Sequence, residues 1–282
     1  IGVDHIDFTI SPKVINEITK KSFFKFGDSS YIDHLCIYNL IPNLAIKLKI
    51  SLVVWGENMY FEYGGRKKKS DQRTQNSELI NEHHILKKHL AEKWISKNIS
   101  IKDISSFSTP NKKKLKFIKY EPIYLGYYFP WDIKQNYKIA KKVGFKAREN
   151  GPIMGLYSES DVDCMNIVIH HYFKWLKFGF NRVSDHASNE IRKNRLTRDK
   201  AIKLIRKFDG IKPPKEYIKS FCKQINISEN KFWQIADKFR NKKIWKKINK
   251  KGWYISNWIA GDKIIDKFPH VKLSKKEKIY LQ

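Results

Sequence analysis

Apolar and polar positions recur along the start of the chain in ways that predict strands and helices. Residues Ile1–Ile10 alternate and carry β-branched and aromatic side chains, which predicts a strand. A helix is expected from Val14 to about Phe26, ended by the glycine that follows. Asp28–His34 reads as irregular, and the spacing from Ile37 to Leu48 predicts a second helix with Pro42 in its first turn.

The middle of the chain contains two apolar runs separated by a polar segment. Ser51–Trp55 is a short continuous apolar run, as expected for a strand buried on both faces of a parallel sheet, and Ile123–Phe129 resumes that sheet. Residues 66–120 read as a lid-like insertion, in which Glu78–Trp94 can form a helix and Thr109–Phe117 forms an exposed loop. Alternation of strand and helix in this order favours an α/β fold.

After Asp132 the pattern becomes helical almost throughout. One apolar face runs along Val162–Phe178, and one of the adjacent His170 and His171 within it must face the core or a cleft. Three further helices are predicted: Asp199–Phe208, Pro214–Ile225 and Glu229–Arg240, the last capped by Ser228. The chain therefore divides into an α/β domain (1–132), a helical C-terminal domain (133–250) and a weakly patterned tail (251–282).

A polar cluster follows the long helix of the C-terminal domain. Ser184 or Asp185 can cap a new helix, on which His186 shares a face with Asn189 or Glu190. Three arginines follow within a few turns: Arg192, Arg195 and Arg198. A carboxylate, an imidazole and guanidinium groups together could bind a phosphate or carboxylate and move a proton near neutral pH. The alternative is a capping aspartate, a surface histidine and solvated arginines.

Composition limits the classes of partner and compartment. The formal net charge is +29, but lysines spread among many asparagines and isoleucines are typical of an AT-rich genome, so nucleic acid is not the expected partner. The charge favours anionic ligands such as sugar nucleotides and ATP. Cys36, Cys164 and Cys222 lie far apart, which argues against a disulfide framework or a zinc site. This cysteine usage fits a cytoplasmic, reducing compartment. No apolar run approaches the roughly 20 residues of a membrane span, so a soluble protein is expected.

Four sequence blocks in a fixed order carry a family resemblance. They are GVDHIDFTISPKV (Gly2–Val14), SLVVWGENMYFEYGG (Ser51–Gly65), IYLGYYFPWD (Ile123–Asp132) and FKWLKFGFNRVSDHASNEIRKNRLTRDKAIKLIRKFDG (Phe173–Gly210). Together they resemble the bacterial N-acetyl sugar amidotransferase family of surface-polysaccharide biosynthesis, which is itself similar to the PP-loop ATP pyrophosphatases. The resemblance implies an incomplete doubly wound parallel sheet of the PP-loop type with a C-terminal helical cap.

The resemblance also implies a reaction and its partners. An acetamido group on a nucleotide-linked sugar would become an acetamidino group, with ATP and Mg²⁺ as cofactors. Ammonia would come from a glutaminase through a channelling subunit similar to the histidine-biosynthesis pair. Adenylation suits this chemistry, because an amide carbonyl is a poor electrophile until its oxygen becomes a good leaving group.

Candidate site residues follow from the matching blocks. The turn after the apolar strand supplies the cofactor-binding residues Gly56, Glu57 and Asn58, since ligands of open parallel sheets bind at the carboxyl ends of strands. The substrate-binding candidates are Tyr128, Trp131, Asp132 and Arg182. The catalytic candidates are Asp185, His186 and Arg192, with the first two orienting the acetamido group or assisting proton removal and Arg192 holding phosphate. Asp132 serves equally well as a helix cap, and Glu57 and Asn58 as solvated turn residues.

The sequence also departs from the family pattern. The family's N-terminal cysteine pairs and SGGKDS phosphate loop have no counterpart here, and the chain opens on Ile1, which leads us to expect a fragment or a split gene. A separate N-terminal half is then a possible partner. The alternative functions are a tRNA-modifying or RNA-binding PP-loop relative and a non-catalytic partner subunit.

Overall fold

The protein mixes many helices with short strands. The computed structural model describes residues 2–56, 73–75, 86, 89–248, 252–256, 258–259 and 264–267. They fall into two compact units, Ile1–Phe145 and Lys146–Gln282. The first unit contains a small parallel sheet, which is compatible with the α/β class, and the second combines helices with a small antiparallel sheet. Across the helices in these ranges, none has both the length and the apolarity that crossing a membrane requires.

Two helices open the first unit. Helix α1 spans Pro12–Phe26. Proline suits its first turn because the N–H that proline lacks has no partner there. Gly27 ends the helix in the left-handed conformation (φ 59°). This confirms the predicted helix. Helix α2 spans Tyr31–Leu48, so the prediction that Asp28–His34 is irregular was wrong from Tyr31 onward. Pro42 lies inside α2 and not in its first turn, because the helix begins eleven residues before it.

The core of the first unit forms around α1, α2 and the segment after residue 89. Trp94 packs edge-on against Tyr31, with ring centroids 5.3 Å apart, and the Tyr31 hydroxyl donates to the carbonyl of His89 (2.8 Å). The buried residues of this core are Val14, Ile18, Tyr31, Ile32, Leu35, Ala91, Trp94, Ile99, Ile104 and Phe107.

Two strands form the parallel sheet in the described part of the first unit. Strand β1 (Leu52–Trp55) confirms the predicted strand and pairs with β2 (Glu121–Tyr124). Leu52 and Val54 are each 51% exposed, so the expectation of burial on both faces was wrong: in the part described, no layer covers the face they share. The predicted strand Ile1–Ile10 was also wrong, since residues 2–10 form neither helix nor strand. A strand needs a neighbour for its backbone groups, and no strand of the described chain pairs with this segment.

Short helices complete the first unit. Helix α3 spans Ile101–Ile104 and α4 spans Lys112–Phe117. Helix α4 contradicts the loop predicted for Thr109–Phe117: the side chain of Asn111 accepts from the Lys114 N–H and so starts a helix among lysines. Strand β2 ends at Tyr124 and gives way to helix α5, Leu125–Tyr128, so the sheet does not extend to Phe129 as predicted.

The described residues of the second unit form five helices and three strands. The helices are α7 (Asn166–Phe178), α8 (Arg182–Arg192), α9 (Arg198–Phe208), α10 (Lys215–Gln224) and α11 (Glu229–Phe239); helix α6 (Ile133–Lys142) precedes them in the first unit. The strands β3 (Lys246–Ile248), β4 (Gly252–Ile255) and β5 (Ile264–Lys267) pair antiparallel in that order. Ser228 caps α11 as predicted. The strands at 252–267 lie where the sequence pattern indicated no element.

Helix α7 is the centre of the second unit. Trp175 is 1% exposed and packs edge-on against Trp245, with centroids 4.7 Å apart. Gly210 follows α9 with φ 80°, and a Cβ there would lie 2.6 Å from the Trp175 ring, so only glycine permits this approach. Helices α8 and α9 share a small core of Val183, Ala187, Ala201 and Ile205. The Lys174–Asp185 ion pair joins α8 to α7 and so brings polar residues of the two helices together.

Candidate active site

The turn between α7 and α8 is held by buried polar groups. Asn181, fully buried, is the N-cap of α8, and its side chain accepts from the Arg182 N–H. The prediction that Ser184 or Asp185 caps this helix was therefore wrong. Ser184 instead donates to the Asp209 carboxylate (2.8 Å), which also accepts from the Asn181 N–H (3.0 Å). Asp209 thus fixes the start of α8 from the end of α9.

Asp185 forms a buried ion pair with Lys174 of α7. Their side chains are 5% and 14% exposed. Burial raises the pKa of the Asp185 carboxyl and lowers the pKa of the Lys174 amine, and the attraction between the two charges opposes both changes. Removing one partner would leave the other charge buried and unpaired. Asp185 therefore links α7 to α8.

Asp161 connects α7 and α8 at a second place. Its carboxylate lies 3.3 Å from His171 Nε2 of α7 and 3.5 Å from Arg182 Nε of α8. Burial alone would raise the pKa of the Asp161 carboxyl, but the hydrogen bond with His171 and the charge of Arg182 outweigh it and hold the pKa well below its usual value. The backbone of Asp161 has φ 56°, the left-handed region that aspartate tolerates better than most residues. The carboxylate is thus ionised and held against both helices.

The Asp161 carboxylate fixes the tautomer of His171. An ionised carboxylate only accepts, so the proton of the imidazole lies on Nε2, and Nδ1 keeps an unshared pair. Burial lowers the pKa of His171 to about 4, so the ring is neutral near pH 7. Within the described part of the chain, the buried Nδ1 has no hydrogen-bond partner.

His186 of α8 is 1% exposed, and in this ring Nδ1, not Nε2, has the hydrogen-bond partner. The backbone N–H of Leu156 donates to Nδ1 (2.9 Å), so the proton of the neutral ring lies on Nε2. Burial lowers the pKa of His186 to about 2, and the nearby charge of Arg182 acts in the same direction. Its buried Nε2–H finds no acceptor among the residues that the structure describes. A Cβ at Gly155 would lie 2.6 Å from His186 Cε1, so the ring fits only against a glycine.

Tyr157 packs against His186 and is hydrogen-bonded to Glu190 of α8. The Tyr157 hydroxyl donates to Glu190 Oε1 (2.6 Å), and Arg195 binds both oxygens of Glu190 (2.7 and 3.0 Å). Burial and the hydrogen bond to Glu190 raise the pKa of the Tyr157 phenol. The Tyr157 ring packs on His186, with centroids 4.2 Å apart. His186 and Glu190 therefore share a face of α8, as their spacing predicted.

A small cavity adjoins these groups. It is lined by Arg148, Pro152, Ile153, Met154, Gly155, Tyr157, Ser160, Asp161, Val168 and His171. Gly155 and Tyr157, which contact His186, thus line the same cavity as His171. In the described ranges, no three His, Cys, Asp or Glu side chains are placed to hold a metal ion.

The structure brings together only some of the predicted site residues. Arg182, Asp185 and His186 lie in this cluster of the second unit, whereas Arg192 is exposed and donates to Asn189. Asp132 caps α6 by accepting from the Lys134 and Gln135 N–H groups (3.0 and 3.3 Å), which is the alternative that the sequence left open.

The other predicted binding residues lie in the first unit or outside the described chain. Tyr128 is 49% exposed and Trp131 is partly buried. Gly56 is exposed at the end of β1, and no atom of the described residues lies within 4 Å of the position of a Cβ there. Glu57 and Asn58 lie outside the described residues.

Asp161 and Tyr157 are site residues that the sequence did not reveal. They lie in residues 143–165, where the structure has only turns and bends. Their side chains reach α7 and α8 from residues that precede both helices, so no helical spacing relates them to His171 or His186. The only sequence signal was the density of glycine and acidic residues before α7.

A known protein family matches the region that contains this cluster. Residues 134–259 match the family described as LPS biosynthesis protein WbpG-like, C-terminal domain. The match covers α6 to β4 and includes every residue of the buried cluster. The match confirms the resemblance to proteins of surface-polysaccharide biosynthesis. A match to a family of this kind suggests that the protein is a biosynthetic enzyme. A search of curated proteins gave no match.

Proposed function

We propose that the protein takes part in an ATP-dependent N-acetyl sugar amidotransferase reaction of surface-polysaccharide biosynthesis. The observation that carries the proposal is the match of residues 134–259 to an LPS biosynthesis domain whose matched segment contains the buried Asp161–His171 pair. Surface polysaccharides are built from nucleotide-linked sugars, and the excess positive charge of the chain favours such anions. A PP-loop-like sheet in the first unit, and ATP and Mg²⁺ as the cofactors, belong to the same proposal.

The proposed reaction has two steps, adenylation of the acetamido group and displacement of AMP by ammonia. The oxygen of the acetamido group attacks the α-phosphorus of ATP, pyrophosphate leaves, and the amide N–H proton passes to a base. Ammonia then attacks the activated carbon, AMP departs with the former amide oxygen, and loss of a second proton gives the acetamidine. We assign His171 as the base for the amide proton, because Asp161 holds Nε2–H and leaves the Nδ1 pair available. Asp161 is then a positioning residue.

An isotope experiment tests this function. The protein is incubated with ATP, Mg²⁺, ammonium chloride and a panel of UDP-linked N-acetyl sugars whose acetamido oxygen is replaced by a heavy isotope. We expect AMP that carries the heavy oxygen and a sugar in which that oxygen is replaced by an NH group. AMP without the label would contradict adenylation of the acetamido oxygen.

A non-catalytic subunit is the second candidate function. The 282 residues contain no SGGKDS segment, the phosphate loop of the family that the chain resembles. The same assay is therefore repeated with a separately expressed polypeptide that carries a phosphate loop of this family. Activity only in the mixture would indicate that this protein is a subunit that supplies the acceptor-sugar site. A third mixture would then contain the glutaminase and channelling subunits in place of ammonium chloride. Unlabelled products in both mixtures would argue against either role.

A further inference from the structure

We propose that the turn between α7 and α8 presents a binding platform for a nucleoside diphosphate. Phe178 and Phe180 lie on either side of Gly179 in this turn, and both side chains reach the surface: Phe178 is 61% exposed and Phe180 is 41% exposed. Their rings are neighbours, with centroids 6.0 Å apart and planes inclined by 37°. The inference rests on the proposed function only in taking a nucleotide-linked sugar as the source of the diphosphate.

The backbone that carries the two rings is held in one place. Gly179 ends α7 in the left-handed conformation (φ 77°), and a Cβ there would lie 3.2 Å from Ile244 Cδ1 and 3.3 Å from Ile255 Cδ1. The Trp258 indole donates to the Gly179 carbonyl (3.0 Å), and Asn181 just after the turn is fully buried. Aromatic side chains on a fixed backbone lose little freedom when a ligand binds, which favours binding.

A cation adjoins the aromatic pair. Lys174 Nζ lies 4.9 Å from the centroid of the Phe180 ring, and the same ammonium group is paired with the Asp185 carboxylate. The Lys174 side chain is 14% exposed, so it is not closed off from solvent. An ammonium group has three N–H donors, so Lys174 can keep Asp185 and also bind a phosphate oxygen. Aromatic rings beside a fixed cation match a ligand that is flat at one end and anionic at the other.

The charges around Asp185 favour an anionic ligand. Asp185 lies near a second cation, Arg192, because its carboxylate opposes the lowering of the Arg192 pKa that burial causes. Arg182 also acts on Asp185, but its charge is balanced by Asp161, 3.5 Å from Arg182 Nε. Lys174 and Arg192 therefore share the Asp185 carboxylate, which leaves an excess of positive charge beside the two rings.

A nucleoside diphosphate has the matching distribution of properties. Its base is a planar ring that stacks on aromatic side chains, and its phosphates bind lysine and arginine. The distances from Phe178 to Phe180 and from Phe180 to Lys174 Nζ are 6.0 and 4.9 Å, so one ligand can contact both the rings and the cation. Single-stranded RNA carries the same groups in repeats, but it is bound along grooves with a longer series of aromatic and basic side chains than this turn presents.

Titration with UDP tests the proposal. Protein labelled at phenylalanine is followed by NMR at about pH 6, because burial raises the pKa of Asp209 to about 7 and this carboxyl near Lys174 is then mostly neutral. We expect saturable shifts of the Phe178 and Phe180 ring signals with UDP. Uridine and inorganic pyrophosphate should each bind about tenfold more weakly, because each offers only part of the recognised groups. Pyrophosphate that binds as well as UDP, or UDP that gives no saturable shift of these rings, would overturn the proposal.

Matched variants locate the site. Phe178→Leu and Phe180→Leu remove the aromatic faces but stay apolar, and each should bind UDP about tenfold more weakly. Arg192→Gln should weaken the binding of UDP and leave that of uridine unchanged, because it removes only charge. Phe117→Leu is the control: Phe117 is 84% exposed among the lysines of α4, in the first unit, and this variant should bind UDP normally. Thermal melting checks that all four variants fold, and an equal loss of affinity in Phe117→Leu would overturn the proposal.

Two further measurements separate this site from RNA binding and from the proposed reaction. An oligouridylate that binds more than about tenfold more tightly than UDP, and loses that affinity in both phenylalanine variants, would make the platform an RNA site and overturn the proposal. The titrations contain neither ATP nor ammonia, so UDP binding without amidine formation would support the platform and count against the proposed reaction. Amidine formation with an unchanged KM for the UDP-linked sugar in Phe178→Leu would do the reverse.

Discussion

The burial of neutral His171 predicts that the protein loses stability in weak acid. The pKa of His171 is about 4 in the folded protein, against about 6.5 for an unperturbed histidine. The folded-state pKa is lowered, so the stabilisation is present above about pH 6.5 and is lost as the pH falls toward about 4. From about pH 7.5 to about pH 5 the two values give a loss of about 2 kcal/mol in the free energy of unfolding from this residue.

The variant His171→Gln isolates this contribution. Glutamine does not titrate and keeps a donor for Asp161, so the variant should lose about 2 kcal/mol less than the wild type between those two pH values. Urea unfolding followed by tryptophan fluorescence at each pH measures the difference, and the contribution of His186 is common to both proteins. Val168→Ala serves as a control: Val168 is 2% exposed on the same helix, so this variant is destabilised but should keep the pH dependence of the wild type. If wild type and His171→Gln lose equal stability, the reasoning is refuted.

Three further predictions concern other parts of the chain. Burial raises the pKa of Asp209 to about 7, so the stabilisation from this carboxyl is lost as the pH rises through about 7. Between about pH 5 and about pH 8, the free energy of unfolding of Asp209→Asn should therefore fall by about 3 kcal/mol less than that of the wild type. Urea midpoints that shift equally with pH in the two proteins would contradict this. Gly155→Ala should destabilise the protein by about 1–3 kcal/mol and shift the His186 resonances, because its Cβ meets the ring. Gly56→Ala, whose Cβ meets no atom of the described residues within 4 Å, should melt like the wild type. Despite the charge of +29, tRNA retained on a filter should be released by a polyanion such as heparin, and retention that survives the competitor would support RNA recognition instead.

The sequence predicted the elements whose signals are local. Helix α1 has proline at its start and glycine after its end, and α11 has a serine cap, so both could be placed from their neighbours in the chain. The common face of His186 and Glu190 follows from helical spacing alone. The strand at Leu52–Trp55 was visible as an apolar run.

Errors arose where a distant partner decides the outcome. Residues 2–10 alternate like a strand but have no pairing strand in the described structure. Ser184 and Asp185 have the chemistry of caps, yet Asp209 and Lys174 engage them and Asn181 caps the helix. No spacing rule could relate these residues, because their contacts join separate elements.

The amino-acid sequence by itself determined the helices with clear start and stop signals, the family resemblance and the residue types available for chemistry. Only the tertiary structure decided which of those side chains meet. A turn-rich segment brings Asp161 and Leu156 to two different helices, and their hydrogen bonds set one imidazole as an acceptor and the other as a donor. Both rings carry the proton on Nε2, so the role of each depends on which of its two nitrogens the fold supplies with a partner.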